Sequence, residues 1–434
     1  MPFCSDLCQG LLASTRECMS APLTRKKMMV LGGIIVFLII FIIILIATLS
    51  GGDDGGGGGS PQFKTGGDVI LKVPLVVGRN GLPYQLKTKL NDQLKNVNFS
   101  QRLPDGDPSA MRTGHVGVQI WTVGVNCTAT QYKDTIPQIL EQIDVLKRYT
   151  KIMNFTIATE PTDLNTAKPG SVVGLVGLDG AYVLDSRPAM LRTYHELGVR
   201  VISLANICET PWTKMAGPNV LSPFAKAVVE EANNLGVMID LTGTSKELQL
   251  AVMNVSRSPV VFTASNYNDL VKNSLNVGNE TLDLIKKTNS LLMISLSEEQ
   301  ICTKDQTCNV DQVVAMFAAL KTHVEAKNLG IGGGFGYDGK GFAVTGATSF
   351  SALFDSLHSK GPKFSFEDLK LIAYTNFANL FRSVKNKANL KADPLEFYVP
   401  STDYPDGAMK CISDFDIRFP NSTKPTEKPP KQLD

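Results

Sequence analysis

The sequence predicts an α/β protein: a (β/α)8 barrel of the TIM type, displayed outside the cell on a single membrane-spanning helix. Three observations predict it. Eight short apolar runs rich in Val, Ile and Leu recur along the second to seventh parts of the chain. Amphipathic stretches of helical period separate several of them. One long run near the start, Met28 to Leu49, carries no charge at all.

The eight runs are residues 69–77, 115–124, 171–179, 199–206, 236–243, 259–265, 290–297 and 329–336. Each is bounded by Gly, Pro or polar residues, as strands buried on both faces of a parallel sheet are. Thr135 to Tyr149 and Ser222 to Leu235 read as crossover helices. Alternation repeated in this way over ~270 residues suits a barrel, with an open doubly wound sheet as the alternative.

Met28 to Leu49 is long enough to cross the ~30 Å hydrocarbon core at 1.5 Å rise per residue. A cleaved signal peptide is the competing reading, but its apolar core is shorter and ends in a small-residue cleavage site. Arg25, Lys26 and Lys27 precede the run and Asp53 and Asp54 follow it. Basic flanks stay in the cytoplasm, which places the N-terminus inside and the bulk of the chain outside, a type II arrangement. The organisation expected is therefore a cytoplasmic tail 1–27, a span 28–49, a Gly-rich linker 50–67, a barrel ectodomain 68–419 and a disordered tail 420–434. The linker contains Gly51 to Ser60, GGDDGGGGGS, a flexible tether. The last segment is rich in Pro, Lys and Thr and poor in apolar residues.

Forty-three Lys and Arg against 41 Asp and Glu leave a net charge of +2. Nothing in that balance resembles the concentrated basic face of a nucleic-acid binder. Six sequons lie beyond the span, at Asn98, Asn126, Asn154, Asn254, Asn279 and Asn421. Their distribution suits a glycosylated secretory-pathway domain. Cys4, Cys8 and Cys18 precede the span, where thiols either carry palmitate or stay free.

A barrel of this class keeps its chemistry at the C-terminal ends of its strands. Those ends carry Arg79, Asn80 and Gly81, then Asp179, Asn206, Gly243, Ala264 and Gly334. The set has one carboxylate and no His or Cys. The four histidines, His115, His195, His323 and His358, fall elsewhere. A zinc site needs three or four converging His, Cys or carboxylate ligands, so none is expected here. An Arg79–Asp179 ion pair is the expected occupant of this rim. Asp240, inside a strand, is expected to be a hydrogen-bonded core residue.

Several stretches resemble the membrane (renal) dipeptidase family in order and spacing. They include Gly78 to Tyr84 (GRNGLPY), Gly117 to Thr122, Gly177 to Gly180, Cys208-Glu-Thr-Pro-Trp212, Leu221 to Phe224, Leu235 to Leu241 (LGVMIDL) and Pro259 to Phe262. The resemblance covers roughly residues 68–415 and implies a (β/α)8 barrel. It also implies a two-zinc centre that activates water for peptide hydrolysis. The matching positions are altered here. The first ligand pair of the family, His and Asp, falls at Arg79 and Gly81. The bridging Glu is Asp179 and a nearby His is Tyr182. The His two residues before the Cys-x-Thr-Pro-Trp motif is Asn206. Two further metal His positions are Gly243 and Ala264, and the catalytic Asp is Gly334. The resemblance thus implies a divergent member with no cofactor, no metal ligands and no catalytic residues. Its role would be scaffolding or receptor-like binding of a protein or peptide. The alternatives are a metallodipeptidase with a rearranged site and an accessory subunit of another membrane protein.

Cys127, Cys208, Cys302, Cys308 and Cys411 lie beyond the span, and the sequence alone does not choose their pairing. The resemblance implies Cys127–Cys208. The family partner of Cys302 is missing, which leaves a local Cys302–Cys308 loop and an odd Cys411. The family uses a cysteine in that region to link two subunits, so a disulfide-linked homodimer is expected.

Overall fold

The protein is described from a computed structural model that covers residues 63–399, except 104–106, 126–133, 206–208, 215, 218–219, 275, 304–307, 335–347 and 397–398. These residues belong to a compact unit beginning at Phe63. The expected span 28–49, together with Cys127, Cys208, Asn206, Cys411, Asn126 and Asn421, lies outside the described residues. Among the described residues no helix is long and apolar enough to cross a membrane.

Nine strands run β1 (Leu75–Asn80), β2 (Val116–Val123), β3 (Thr156–Ile157), β4 (Val173–Leu178), β5 (Val199–Ser203), β6 (Met238–Asp240), β7 (Val261–Ser265), β8 (Leu291–Ile294) and β9 (Leu329–Ile331). Eight of them form a closed parallel ring in the order β1, β2, β4, β5, β6, β7, β8, β9. The ring closes where Val77 of β1 pairs with Ile331 of β9. Each of the eight expected runs supplies one ring strand. β3 lies outside the ring, paired to the start of β4; two residues are too few to show a strand period in sequence.

The first run departs from its expected form. Its leading half is a helix, Gly67–Lys72, and the strand starts only at Leu75. Pro74 explains the break, because a residue preceding proline is pushed out of the helical region. Val73 indeed has φ −110° and ψ 129°. The crossover helices extend over Thr135–Ile152 and Pro223–Leu235. The second has the expected start signal: Ser222 accepts from the amide of Ala225, and Pro223 occupies the first helical position.

Side chains alternate across each ring strand, so two apolar layers form. Val76, Val118, Ile120, Val173, Leu175, Val201, Met238, Val261, Leu291 and Met293 share one cluster inside the ring. Phe377, Leu380, Phe381 and Val384 of the helix Asn376–Asn386 belong to the same cluster and plug it from below. The intervening residues, such as Leu75, Val77, Ile202, Ile239, Phe262 and Leu292, join the layer under the surrounding helices. Both layers leave the polar residues to the upper ends of the strands.

His195 closes the helix Pro188–Glu196 and has neither ring nitrogen hydrogen-bonded. Glu196 Oε1, at 3.8 Å, is beyond hydrogen-bond range. Burial, and after it Arg200 and Lys385, hold the imidazole pKa below its ordinary value, against the weaker pull of Glu196 and Glu160. The unfolded chain therefore takes up a proton near pH ~6.5 that the folded chain accepts only at lower pH. This contribution to stability is complete above that pH and is lost as the pH falls toward the folded-state pKa. Urea unfolding of wild type and H195F between pH ~7.5 and ~5 is expected to show a steeper acid loss in wild type. Parallel pH profiles would contradict this assignment.

Candidate functional site at the barrel mouth

The upper ends of the ring strands converge on a mouth, and the local chain path decides what faces it. Gln119 on β2 donates from Nε2 to the carbonyl of Gly78 at 2.6 Å, fastening β1 to its neighbour. The β1–β2 register slips between Val77 and Arg79. Such a bulge re-aims a side chain. The Arg79 guanidinium here reaches across the ring to donate to Asp179 Oδ1. Asn80 Oδ1 accepts from the Leu82 amide at 2.9 Å, at the entry to the next helix, Leu82–Leu90.

Asp179 is the first residue after β4, and its amide donates to Val123 O at 2.8 Å. Arg79 is 4% exposed and Asp179 7%, so the pair sits out of bulk water. A buried pair of this kind is retained only where each charge has the other, because desolvating either alone costs several kcal/mol. Tyr182 is buried and its hydroxyl donates to Val125 O at 2.9 Å. It follows Asp179 into the wall of the mouth rather than into its centre.

The remaining family positions offer no metal donors. Gly81 is the residue before the helix Leu82–Leu90, and Ala264 lies buried in β7. Gly243 has φ +72° and Gly334 φ +112°. These are backbone conformations that residues with side chains rarely adopt. The amide of Gly334 donates to Arg79 O at 2.9 Å, so two altered positions meet backbone to backbone. Asn206 is outside the described residues. Among the described residues, no three His, Cys, Asp or Glu side chains group so as to hold a metal ion. His323 instead lies against the Tyr267 ring at 4.9 Å, and His358 Nδ1 is 2.8 Å from Phe364 O.

A zinc pair does not fit this donor set. The guanidinium is permanently charged and stands where the resemblance implies the first zinc ligand. At ~4 Å and an effective dielectric of ~20, a dication beside it costs about 8 kcal/mol. Asp179, the surviving acid, is already engaged by that cation.

Sequence reasoning placed Asp240 correctly as a core residue, but the extent of its network emerges only in three dimensions. Asp240 Oδ1 accepts from the amides of Thr242 and Thr263 at 2.8 and 3.1 Å, and Thr263 Oγ1 donates to Oδ2. Thr242 Oγ1 accepts in turn from Ala264 N at 3.0 Å. The carboxylate thus ties β6 to β7. A second ion pair, Arg187 to Asp185 at 3.3 Å, lies in the loop after β4 and was not foreseen. Asp185 and Ser186 both have positive φ, and Trp212 Nε1 donates to Ser186 Oγ at 3.1 Å. No sequence period marks such a turn. Cys302 and Cys308 form the local disulfide.

Comparison with known proteins follows the same lines. The family model described as membrane dipeptidase (Peptidase family M19) matches residues 65–394. Rat Dipeptidase 3 is 32% identical over 344 residues, which span 75% of this chain and 69% of the relative. A dipeptidase of Aspergillus oryzae is 27% identical over 350 residues, covering 75% of this chain and 82% of that one. Among solved structures, a probable dipeptidase from Pseudomonas aeruginosa superposes with TM-score 0.65 at 15% identity, over 74% of this chain and 98% of that one. A metallopeptidase from Rhodobacter sphaeroides, bound to a phosphinate mimic of the dipeptide L-Ala-D-Ala, gives TM-score 0.63 at 15% identity, over 72% and 99%. At such identities these two structures establish the barrel fold alone.

The Arg79→Ala variant leaves Asp179 with a buried charge, and a loss of roughly 3–5 kcal/mol is expected. Replacing both members, in R79M/D179L, is expected to recover most of that loss. Urea midpoints of the two variants check this; equal losses would show that the pair contributes nothing as a unit.

Proposed function

The chain belongs to the membrane dipeptidase family, and from that premise we propose that this member is a catalytically silent, dipeptidase-like ectodomain at the cell surface, with a scaffolding or receptor-like role. The observation that carries the reading is the Arg79–Asp179 pair, which stands where the family's resemblance calls for zinc ligands. Four further ligand or catalytic positions, Gly81, Gly243, Ala264 and Gly334, hold residues whose side chains coordinate nothing. Fold and site residues are separable, so a barrel can persist after its chemistry is gone. The competing hydrolase reading would have to work from Asp179, Tyr182, Asn206 and Asp240. Asp240 is committed to the β6–β7 link and Asp179 to Arg79, so both acids of that set are already engaged.

The same proposal includes the membrane arrangement read from the sequence: a tail 1–27 inside, a type II span 28–49, the linker 50–67 and the ectodomain 68–419 outside. The sequons support exposure to the secretory pathway. Asn98, Asn154, Asn254 and Asn279 are all exposed. We further propose a homodimer linked through Cys411, with Cys127–Cys208 as an intrachain bridge.

Three measurements test these readings. Metal analysis of the purified full chain is expected to find no stoichiometric zinc, and a dipeptide panel no chelator-sensitive release of amino acids. A bound zinc pair together with hydrolysis would overturn the silent reading. On non-reducing electrophoresis, Cys411→Ser is expected to convert a dimer band to monomer; a dimer band that persists would sink the interchain bridge.

A further inference from the structure

Six large apolar side chains are exposed among the described residues, and two of them share an unusual setting. Ile152 is 55% exposed and Val255 41%. Each lines a surface cleft, the first of about 610 Å³ and the second of about 350 Å³. Each also stands within two positions of an exposed sequon asparagine, Asn154 or Asn254. Isolated exposed apolar residues need no explanation. The coincidence of an apolar side chain, a cleft and a sequon, seen twice, does ask for one.

The chain path around Asn154 is fixed on both sides. The helix Thr135–Ile152 ends with the Met153 amide donating to Tyr149 O at 2.9 Å. Asn154 then takes φ +54°, a conformation that asparagine tolerates better than most residues. Phe155 turns inward at once: its amide donates to Thr150 O at 2.8 Å, and Arg112 lies over its ring at 4.8 Å. Asn154 is left outside, next to the cleft. The turn Asp92–Lys95 forms one wall of that cleft, and Arg148, Lys151 and Ile152 form the other. Its volume lies within the ~300–1,000 Å³ of clefts that hold small-molecule ligands. Ile152 offers an apolar surface to the C–H face of a sugar ring, and Gln93, Lys95 and Lys151 offer donors to its hydroxyls.

We propose that the proximal N-acetylglucosamine of a glycan on Asn154 seats in this cleft and covers Ile152. The proposal rests on the secretory-pathway reading above. Asn254 beside Val255 repeats the arrangement. Asn154 lies just past a helix that leads into β3, beside the start of β4, and Asn254 lies at the end of a helix that leads into β7, hence both are on the side of the barrel away from the mouth. Sugar seated there removes these clefts from the surface available to a protein partner. A glycan on Asn98, three residues beyond Lys95, is the other source of sugar for the first cleft.

The test uses the full chain made with high-mannose glycans, and thermal melts of four forms: intact, trimmed to a single N-acetylglucosamine, T156A and N98Q. Thr156 is exposed and its loss removes the Asn154 sequon while keeping the asparagine. Intact and trimmed chains are expected to melt together, and T156A about 2 °C lower, with faster amide exchange at the end of the helix Thr135–Ile152. Ile152→Ser is expected to lower the melting temperature in the intact chain but not in T156A, a coupling read by the double-mutant cycle. If mass spectrometry finds sugar on Asn154 while the T156A and I152S effects simply add, the seat is overturned. If Ile152→Ser still lowers the melting temperature in T156A but not in N98Q, the occupant is the Asn98 glycan and the assignment to Asn154 falls. If only the Asn154 peptide lacks sugar, this inference falls alone; if none of the sequon peptides carries sugar, the secretory reading fails and this inference with it.

Discussion

A parallel ring has no edge only if its last strand returns to its first, and in this protein that return falls on β1. Val77 meets Ile331, and just above them the amide of Gly334 donates to Arg79 O. The Gly333 amide donates to Thr263 O on β7 at 3.2 Å, and the Leu296 amide to Gly333 O at the same distance. The short strand β9 is therefore held by β1, β7 and β8 together. Unpaired backbone groups at this depth would cost as much as lost hydrogen bonds, so the seam leaves little freedom for the chain at the mouth.

The same residue that completes the seam supplies the mouth's charge. Arg79 is fixed through its backbone by β9 and through its side chain by Asp179 on β4. In a metal-binding barrel the mouth gathers negative and neutral donors around a cation supplied from solution. Here the cation is covalent, carried on β1, and the acid opposite neutralises it. The electrostatic problem of a buried acid at the strand ends is met in both cases, but a guanidinium, unlike a bound metal ion, holds no water whose pKa it lowers. The further acid of the mouth, Asp240, binds two strands together through the amides of Thr242 and Thr263.

The two ends of the barrel divide the work. Below, alternate strand residues and the helix Asn376–Asn386 fill the ring with apolar side chains, and that packing supplies the stability. Above, Arg79 is matched to Asp179 and Asp240 to Thr263 across strands. A fold stabilised at one end tolerates exchange of side chains at the other, which is compatible with the proposal that the family's barrel here carries an altered mouth.

Sequence alone determined the strands of the ring, though not that they close rather than lie in an open sheet. The eight runs, their spacing and the start of the helix Pro223–Leu235 follow from local burial period and capping chemistry, which act within a few residues. It also determined the inventory at the mouth, because a glycine or an alanine coordinates nothing in any fold. Tertiary structure alone decided how Arg79 turns inward at a register slip and that Asp240 is shared between β6 and β7. It alone set the turn at Asp185 and Ser186 clamped by Trp212. Each of these depends on a partner tens of residues away in sequence, and no local pattern carries that information. The Arg79–Asp179 pair lies between the two cases: its members were legible as a lone cation and a lone acid at strand ends, but their meeting required the ring to close.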